Sequence, residues 1–327
     1  MKYFFKKRLS KFHSSQITVE DIKKAKSILF ASFSRYGDAI ISYQIIKELI
    51  NKYPNKDYLL VTTYQHLPYA KEILKDENIE IVKFNKRNIF DYIKLLKIKN
   101  FNANLGFNPW SHGDDSKFII TYASKFQFFG DLKFSKIDNL YDRVRIYFHL
   151  PVNDNKSVLN IDLNNVKNIV FAPYSTDVTK NLSKENINTI LQIFKDKEII
   201  LALPKDEKFE IKTKKFIFSK KNSEQFLKIM KKSDLFIGVD SGPLHIAIAL
   251  NKPIIGVFGP TSPLTILNNS QKIKIIRSKK LKGYFCFYRD CKKPKCIENI
   301  IKKDFLNIGY KLENNLKLIT DKCIYER

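Results

Sequence analysis

Ser233-Asp-Leu-Phe-Ile-Gly-Val-Asp240-Ser-Gly-Pro-Leu-His245-Ile-Ala-Ile-Ala-Leu-Asn-Lys-Pro253-Ile-Ile-Gly-Val-Phe-Gly-Pro260-Thr-Ser-Pro is the stretch from which the fold can be read. Leu235–Val239 is a short apolar run ending at the polar triplet Asp240-Ser241-Gly242, which reads as a strand entering a turn. Pro243 follows, and its fixed φ suits the first turn of a helix. Leu244–Leu250 supplies the helix and Ile254–Phe258 the next strand. That succession is the unit from which parallel sheets with helices on both faces are built.

The same alternation extends upstream. Asn168–Ala172, Lys184–Phe194, Glu198–Leu203 and Ser223–Lys232 precede the quoted block. In the first half come Ile28–Ala31, Ala39–Tyr53, Tyr58–Thr62, Leu67–Leu74, Ile79–Phe84 and Ile89–Ile98. Between the halves, Pro151–Lys167 is polar and rich in Asn and Asp, and reads as a linker. The expected class is therefore α/β, with two Rossmann-like domains at 1–155 and 156–327 and a basic extension at 1–26. Two doubly wound sheets facing each other would leave a central cleft at the carboxyl ends of their strands, where such sheets bind ligands. The last helix could pack back on the first domain.

The chain has 327 residues and 44% hydrophobic content, enough to bury a sizeable core in two domains. No run approaches the ~18 apolar residues that span a bilayer. Met1–Ser15 lacks the apolar segment of a secretory signal, which sets a cytoplasmic expectation. The four cysteines, Cys286, Cys291, Cys296 and Cys323, crowd toward the C-terminus and read as reduced structural thiols, not a disulfide framework or a zinc site. There are 59 basic and 33 acidic residues, a net charge of +26. That balance favours polyanionic partners. Gln271–Lys303 concentrates it, with Asp290 and Glu298 as its acids before the closing Lys302-Lys303. An anionic membrane face or a phosphorylated substrate fits; so does compositional drift that scatters Lys over solvated surface.

Two turns carry chemistry. Unpaired backbone N–H groups at a helix start bind phosphate, so Asp240-Ser241-Gly242 is a candidate anion site. His245 reads equally as a ligand contact or as a satisfied histidine packed between helix and sheet. After the first strand comes Ser32-Phe-Ser-Arg-Tyr-Gly-Asp38. Gly37 permits the tight turn, and a carboxylate there is stabilised by the helix start. From position alone Asp38 is either a helix N-cap or a reactive group.

Ser34-x-x-Gly37-Asp38, Asp240-Ser241-Gly242-x-x-His245, Phe258-Gly-Pro-Thr261 and the late Cys286–Cys291–Cys296 segment followed by Ile297-Glu-Asn-Ile resemble, in this order, the bacterial lipopolysaccharide heptosyltransferases of glycosyltransferase family 9. The resemblance implies a GT-B fold and an inverting, metal-independent transfer of heptose from ADP-heptose. The acceptor would be a lipid-linked core oligosaccharide. It implies no cofactor and no metal, a monomer, and a peripheral position at the inner face of the cytoplasmic membrane. Position by position, Asp38 matches the general base, while Asp240, Ser241, Gly242 and His245 match the donor-diphosphate turn. Thr176–Lys180 falls on a polar, basic loop whose Lys180 would neutralise the leaving phosphates. An acid contacting the ribose falls at Glu207 or Glu210. Phe101–Asp115 departs from the family's acceptor-side pattern.

A carboxylate suits a hydroxyl acceptor because removing its proton in the transition state is worth on the order of 10²–10⁴-fold. Without a metal, fixed amides and a cation can stabilise the leaving diphosphate. Two alternatives remain: a relative using another nucleotide sugar, and a nucleic-acid-binding protein. The second finds no RNP-like, helix-turn-helix or zinc-finger pattern, so no specific nucleic acid is expected.

Overall fold

The computed structural model describes residues 17–85, 87–108, 110, 114–129, 139–152, 160–219, 221–267, 272–277, 295–298 and 311–313. The chain divides into two compact units, Met1–Val152 and Asn153–Arg327.

In the first unit the elements run α1 (Val19–Lys24), β1 (Ser27–Ser32), α2 (Tyr36–Lys52), β2 (Asp57–Thr62), α3 (Leu67–Ile73), β3 (Glu80–Lys83), a 3-10 turn (Ile89–Tyr92), α4 (Ile93–Phe101), β4 (Ala103–Asn108), α5 (Asp114–Ala123), β5 (Ser124–Phe129) and α6 (Leu140–Tyr147). Within the expected extension, α1 is set by a capping box in which Thr18 and Asp21 satisfy each other's backbone N–H. It buries Ile22.

The five strands are all parallel, in the order β3-β2-β1-β4-β5. Leu29 and Ala31 face a core with Leu59, Val61, Ile98, Ile119 and Ile120. Phe30 faces the other way and stacks on Phe107 at 5.9 Å, which meets Phe148 edge-on at 5.1 Å. Alternate residues of one strand thus anchor both helical layers. Arg145 of α6 donates to both oxygens of Glu48 on α2, at 2.9 and 2.8 Å, and to Asp142 at 3.0 Å. This bidentate pair fixes the helix whose first turn carries Asp38.

In the second unit the elements are β6 (Asn160–Asp162), a 3-10 turn (Leu163–Asn165), β7 (Asn168–Ala172), a 3-10 turn (Val178–Lys180), α7 (Lys184–Ile193), β8 (Glu198–Leu203), β9 (Lys214–Ile217), α8 (Ser223–Lys232), β10 (Leu235–Val239), α9 (Gly242–Ala249), β11 (Ile254–Phe258), α10 (Pro263–Ile266), β12 (Ile273–Arg277), α11 (Lys295–Glu298) and β13 (Lys311–Glu313). Its parallel sheet is ordered β12-β11-β10-β7-β8-β9. By sequence rank within the unit this is the 3-2-1-4-5-6 order of a doubly wound sheet, with the switch between β7 and β10. β10 and β11 are buried along their whole length, as continuous apolar runs require. A Cβ on Gly238 would lie 2.8 Å from the carbonyl oxygen of Ala172, so glycine lets β10 approach β7.

Two sequence expectations change. Helix α2 begins at Tyr36, not at Ala39, because Arg35 takes the extended N-cap conformation without a side-chain cap. Asp38 is therefore inside the first helical turn and is not the N-cap. The linker is also partly structured, since Ile161 in β6 pairs antiparallel with Leu312 in β13. Three residues carry too little pattern to reveal a partner at the far end of the chain. Cys296 is part-buried beside Gly259. Cys286, Cys291 and Cys323, most of Gln271–Lys303, and the segments 299–310 and 314–327, where a last helix packing on the first domain was expected, lie outside the described residues.

Candidate functional site

In the second unit the loops after β7 and β10 leave adjacent strands, since Ala172 and Gly238 are partners in the sheet. These are the two sides of the switch point, where doubly wound sheets open a crevice. Ser175–Leu182 is organised by its own polar groups. Ser175 N–H donates to Asn181 Oδ1 at 2.7 Å, and the Thr179 N–H and hydroxyl donate to Asp177 Oδ1 at 3.1 and 2.7 Å. Leu182 N–H closes the loop on the carbonyl of Pro173. The result aims Lys180 across the switch point. Its Nζ lies 2.6 Å from Asp240 Oδ2, with side-chain exposures of 19% and 6%.

Ser241 is the N-cap residue of α9, yet its hydroxyl donates back to the Val239 carbonyl at 3.1 Å and does not cap the helix. Gly242 and Pro243 occupy the first turn, and Leu244 N–H is bonded to the Ser241 carbonyl. His245, one turn in, is buried, with Nε2 4.0 Å from Asp240 Oδ1. Burial pushes its imidazole down to about 4; the Asp240 charge opposes that and Lys180 adds to it. His245 is therefore neutral at ordinary pH and can only donate or accept hydrogen bonds.

Of the two candidate acids, Glu207 accepts from Tyr174 Oη at 3.0 Å, which joins it to the start of the Lys180 loop. Burial first, and then the hydrogen bond to Glu207 and its charge, raise the Tyr174 phenol well above its usual range, so it stays a donor. Glu210 is exposed, and its backbone N–H donates to Asn188 Oδ1 at 3.3 Å. Thr176 is exposed in the Lys180 loop.

In the first unit Asp38 is half-buried in the first turn of α2. Its carbonyl accepts from Ser42 Oγ at 2.9 Å, and Ser42 Oγ accepts from Trp110 Nε1 at 2.7 Å. Trp110 N–H in turn donates to Asn108 Oδ1 at 3.2 Å. The loop after β4 therefore braces the turn that holds Asp38, and β4 is the strand beside β1. Sequence reasoning missed this, because Phe101–Asp115 matched no motif; the lone tryptophan just after an apolar run was the available signal. It also gave no role to Thr261 and Ser262 after β11. Like Ser34 Oγ, their hydroxyls are buried and find no hydrogen-bond partner among the described residues, and buried polar groups of this kind call for a partner or a functional reason. Among the described residues no group of three or more His, Cys, Asp or Glu is arranged to hold a metal ion.

Comparison with known proteins adds a family. Residues 134–297 match the model of glycosyltransferase family 9 (heptosyltransferase), half of the chain. Over 38 residues the chain is 53% identical to lipopolysaccharide heptosyltransferase 1 of Campylobacter coli; the match spans 12% of this chain and 11% of that relative's length. Among solved structures, E. coli heptosyltransferase WaaC with ADP-2-deoxy-2-fluoro heptose aligns with a TM-score of 0.57 and 13% identity, covering 86% of this chain and 98% of that one. The iron-containing dodecameric glycosyltransferase TibC of enterotoxigenic E. coli H10407 aligns at 0.53 and 11%, covering 87% and 75%. At these identities the structural likeness carries the fold, which is GT-B in class, with two doubly wound parallel sheets. With its family-specific half matched and its fold shared, the chain belongs to glycosyltransferase family 9, the heptosyltransferase family.

Proposed function

We propose that the protein transfers heptose from ADP-heptose to a lipid-linked core oligosaccharide, with inversion and without a bound metal. The observation that carries this reading is the Lys180–Asp240 pair across the switch point of the second sheet. A lysine there has three N–H donors, and Asp240 takes one. The others can meet a diphosphate together with the Gly242 N–H at the start of α9, since Pro243 has no N–H and that of Leu244 is taken by the Ser241 carbonyl. Asp240 is an acceptor-only group, so beside a diphosphate it acts as the orienter of Lys180. This refines its expected place in the donor turn. Ser241, Gly242 and neutral His245 complete the turn. Glu207 is the better ribose acceptor of the two, because Tyr174 holds it at the start of the Lys180 loop.

The first unit would bind the acceptor. Its hydroxyl oxygen forms the bond to the anomeric carbon, Asp38 accepts the hydroxyl proton, and the sugar–phosphate bond breaks with its electron pair leaving on ADP. The protein would work as a cytoplasmic monomer, peripheral at the anionic inner face of the membrane, with no specific nucleic acid as partner.

Thermal stabilisation against ADP, UDP and GDP tests the donor reading. A ligand at 100 times its dissociation constant adds about 2.7 kcal/mol. ADP alone should stabilise; a response to UDP or GDP instead would replace heptose transfer by a relative's donor. Unchanged turnover after EDTA treatment is expected, and loss restored by iron would overturn metal independence.

A further inference from the structure

The helix that follows β3 is built the wrong way round for a soluble surface. Ile89 and Phe90 in the 3-10 turn and Ile93 and Leu96 in α4, which continues it, are 76%, 75%, 69% and 61% exposed. Leu95 and Ile98 on the opposite face are already in the core. Scattered single apolar residues on a surface need no explanation, but four contiguous large ones mark an interaction site.

The face is held in place by buried polar chemistry and is not a frayed end. Asn88 caps the turn by accepting from Phe90 N–H at 3.2 Å. Asp91 is buried and accepts from Tyr64 Oη at 2.8 Å, Asn85 N–H at 2.8 Å and Lys94 Nζ at 2.6 Å. Burial alone would raise the Asp91 carboxyl; these three donors outweigh it and hold it below the usual range.

The segment that carries the patch is cationic. Lys83, Lys86, Arg87, Lys94, Lys97 and Lys99 accompany a single acid, Asp91, between Lys83 and Asn100; that acid is spent on Lys94 and Tyr64, and Lys97 pairs with Glu80 from β3. Protein–protein interfaces exclude lysine from their centre. A two-fold contact between copies would set this basic face against itself, in a chain of net charge +26. Apolar side chains interleaved with cations instead fit an anionic bilayer, where the apolar groups enter the headgroup boundary and the cations meet phosphate.

We infer that the face carried by Ile89, Phe90, Ile93 and Leu96 docks the protein on an anionic lipid surface. The geometry gives this a consequence for the first unit's site. Phe33, in the turn before Asp38, contacts Phe84 at 6.4 Å, and Phe84 contacts Tyr92 at 5.9 Å. The docking face and the Asp38 turn are thus linked by one chain of rings at the carboxyl end of one sheet. The inference rests on the peripheral-membrane part of the proposed function and on nothing in the donor site.

The test is sedimentation of the full-length protein with vesicles of mixed phosphatidylglycerol and phosphatidylcholine, or of phosphatidylcholine alone, at low and high salt. The wild type should partition onto the mixed vesicles, less so at high salt. Phe90→Ser with Ile93→Ser should lower that partition at least tenfold while keeping the melting temperature, since both side chains are exposed. Wild-type protein that ignores anionic vesicles would overturn both this inference and the membrane reading. Equal binding by wild type and double variant would overturn this face alone and leave the membrane reading to other cations. A wild-type dimer that the double variant converts to monomer would show that a second copy covers the face, and would also overturn it.

Discussion

Lys180 Nζ sits 2.6 Å from Asp240 Oδ2, on loops that leave two neighbouring strands on either side of the sheet's switch point. The pair is largely dehydrated, so removing one partner leaves a poorly compensated charge and costs about 3–5 kcal/mol. Lys180→Met should therefore lose stability in a urea titration, and adding Asp240→Asn should recover much of it. ADP affinity separates structure from function: it should stay lost in the double variant, because the cation is gone, but survive in part in Asp240→Asn. Strictly additive stability costs, or ADP binding restored along with stability, would remove Lys180 from the donor site.

His245 gives a pH signature. Its folded value, about 4, lies below its ordinary 6.5, so between those values the unfolded chain binds the proton that the folded chain refuses. Stability should be fully present above about pH 6.5 and fall as pH drops toward 4, by about 1.36 kcal/mol per unit and roughly 3 kcal/mol in all. Denaturant titrations of wild type and His245→Gln across this window check it. If the slopes match, the loss belongs to other groups.

How far the sequence announced this molecule depends on whether a feature is local. Leu235–Val239 and Ile254–Phe258 are continuous apolar runs, and both are strands where the pattern put them. β4 escaped because Asn104 and Gly106 interrupt its run, and Gly106 is required there since a Cβ would collide with Ser124 Oγ. In the site, the two turns were legible as motifs and the family resemblance added Lys180 to the second, but the Lys180–Asp240 ion pair and the Trp110 brace were not legible. Lys180 and Asp240 are distant in sequence and meet only because β7 and β10 are neighbours. Trp110 reaches Ser42 for the same reason, across β4 and β1. Such pairings follow from strand order, which no local pattern encodes.

Gly259 offers a packing test of its contact with α11. An added Cβ would meet Ile297 Cγ1 and would lie 3.2 Å from Cys296 Sγ. Ile297 is fully buried, and its carbonyl accepts from Asn186 Nδ2 at 3.2 Å, so it has little room to move. Gly259→Ala should cost about 1–3 kcal/mol by overpacking. In an Ile297→Ala background the same substitution should cost much less, measured by a double-mutant cycle. Equal costs in both backgrounds would mean the strain is taken up elsewhere.

Asp38 is the group on which the proposed chemistry turns. It lies in the first turn of α2, where unpaired backbone N–H groups stabilise a carboxylate, and its carbonyl is braced through Ser42 by Trp110. Asp38→Asn keeps the shape and removes the base. A helix-start role alone forecasts a small loss of stability and near-normal turnover. The proposed role forecasts a fall in kcat on the order of 10²-fold or more with ADP affinity unchanged, because the donor contacts belong to the other unit. Trp110→Phe provides the contrast. It removes one hydrogen bond from the brace and leaves the carboxylate, so it should lower kcat less than Asp38→Asn while lowering the melting temperature more, a buried hydroxyl having lost its donor. Turnover, ADP affinity and melting temperature are read on the same folded preparations. Asp38→Asn that retains most of its turnover would refute the base. A fall in kcat as large in Trp110→Phe would show that the turn's shape, and not the carboxylate, limits the reaction.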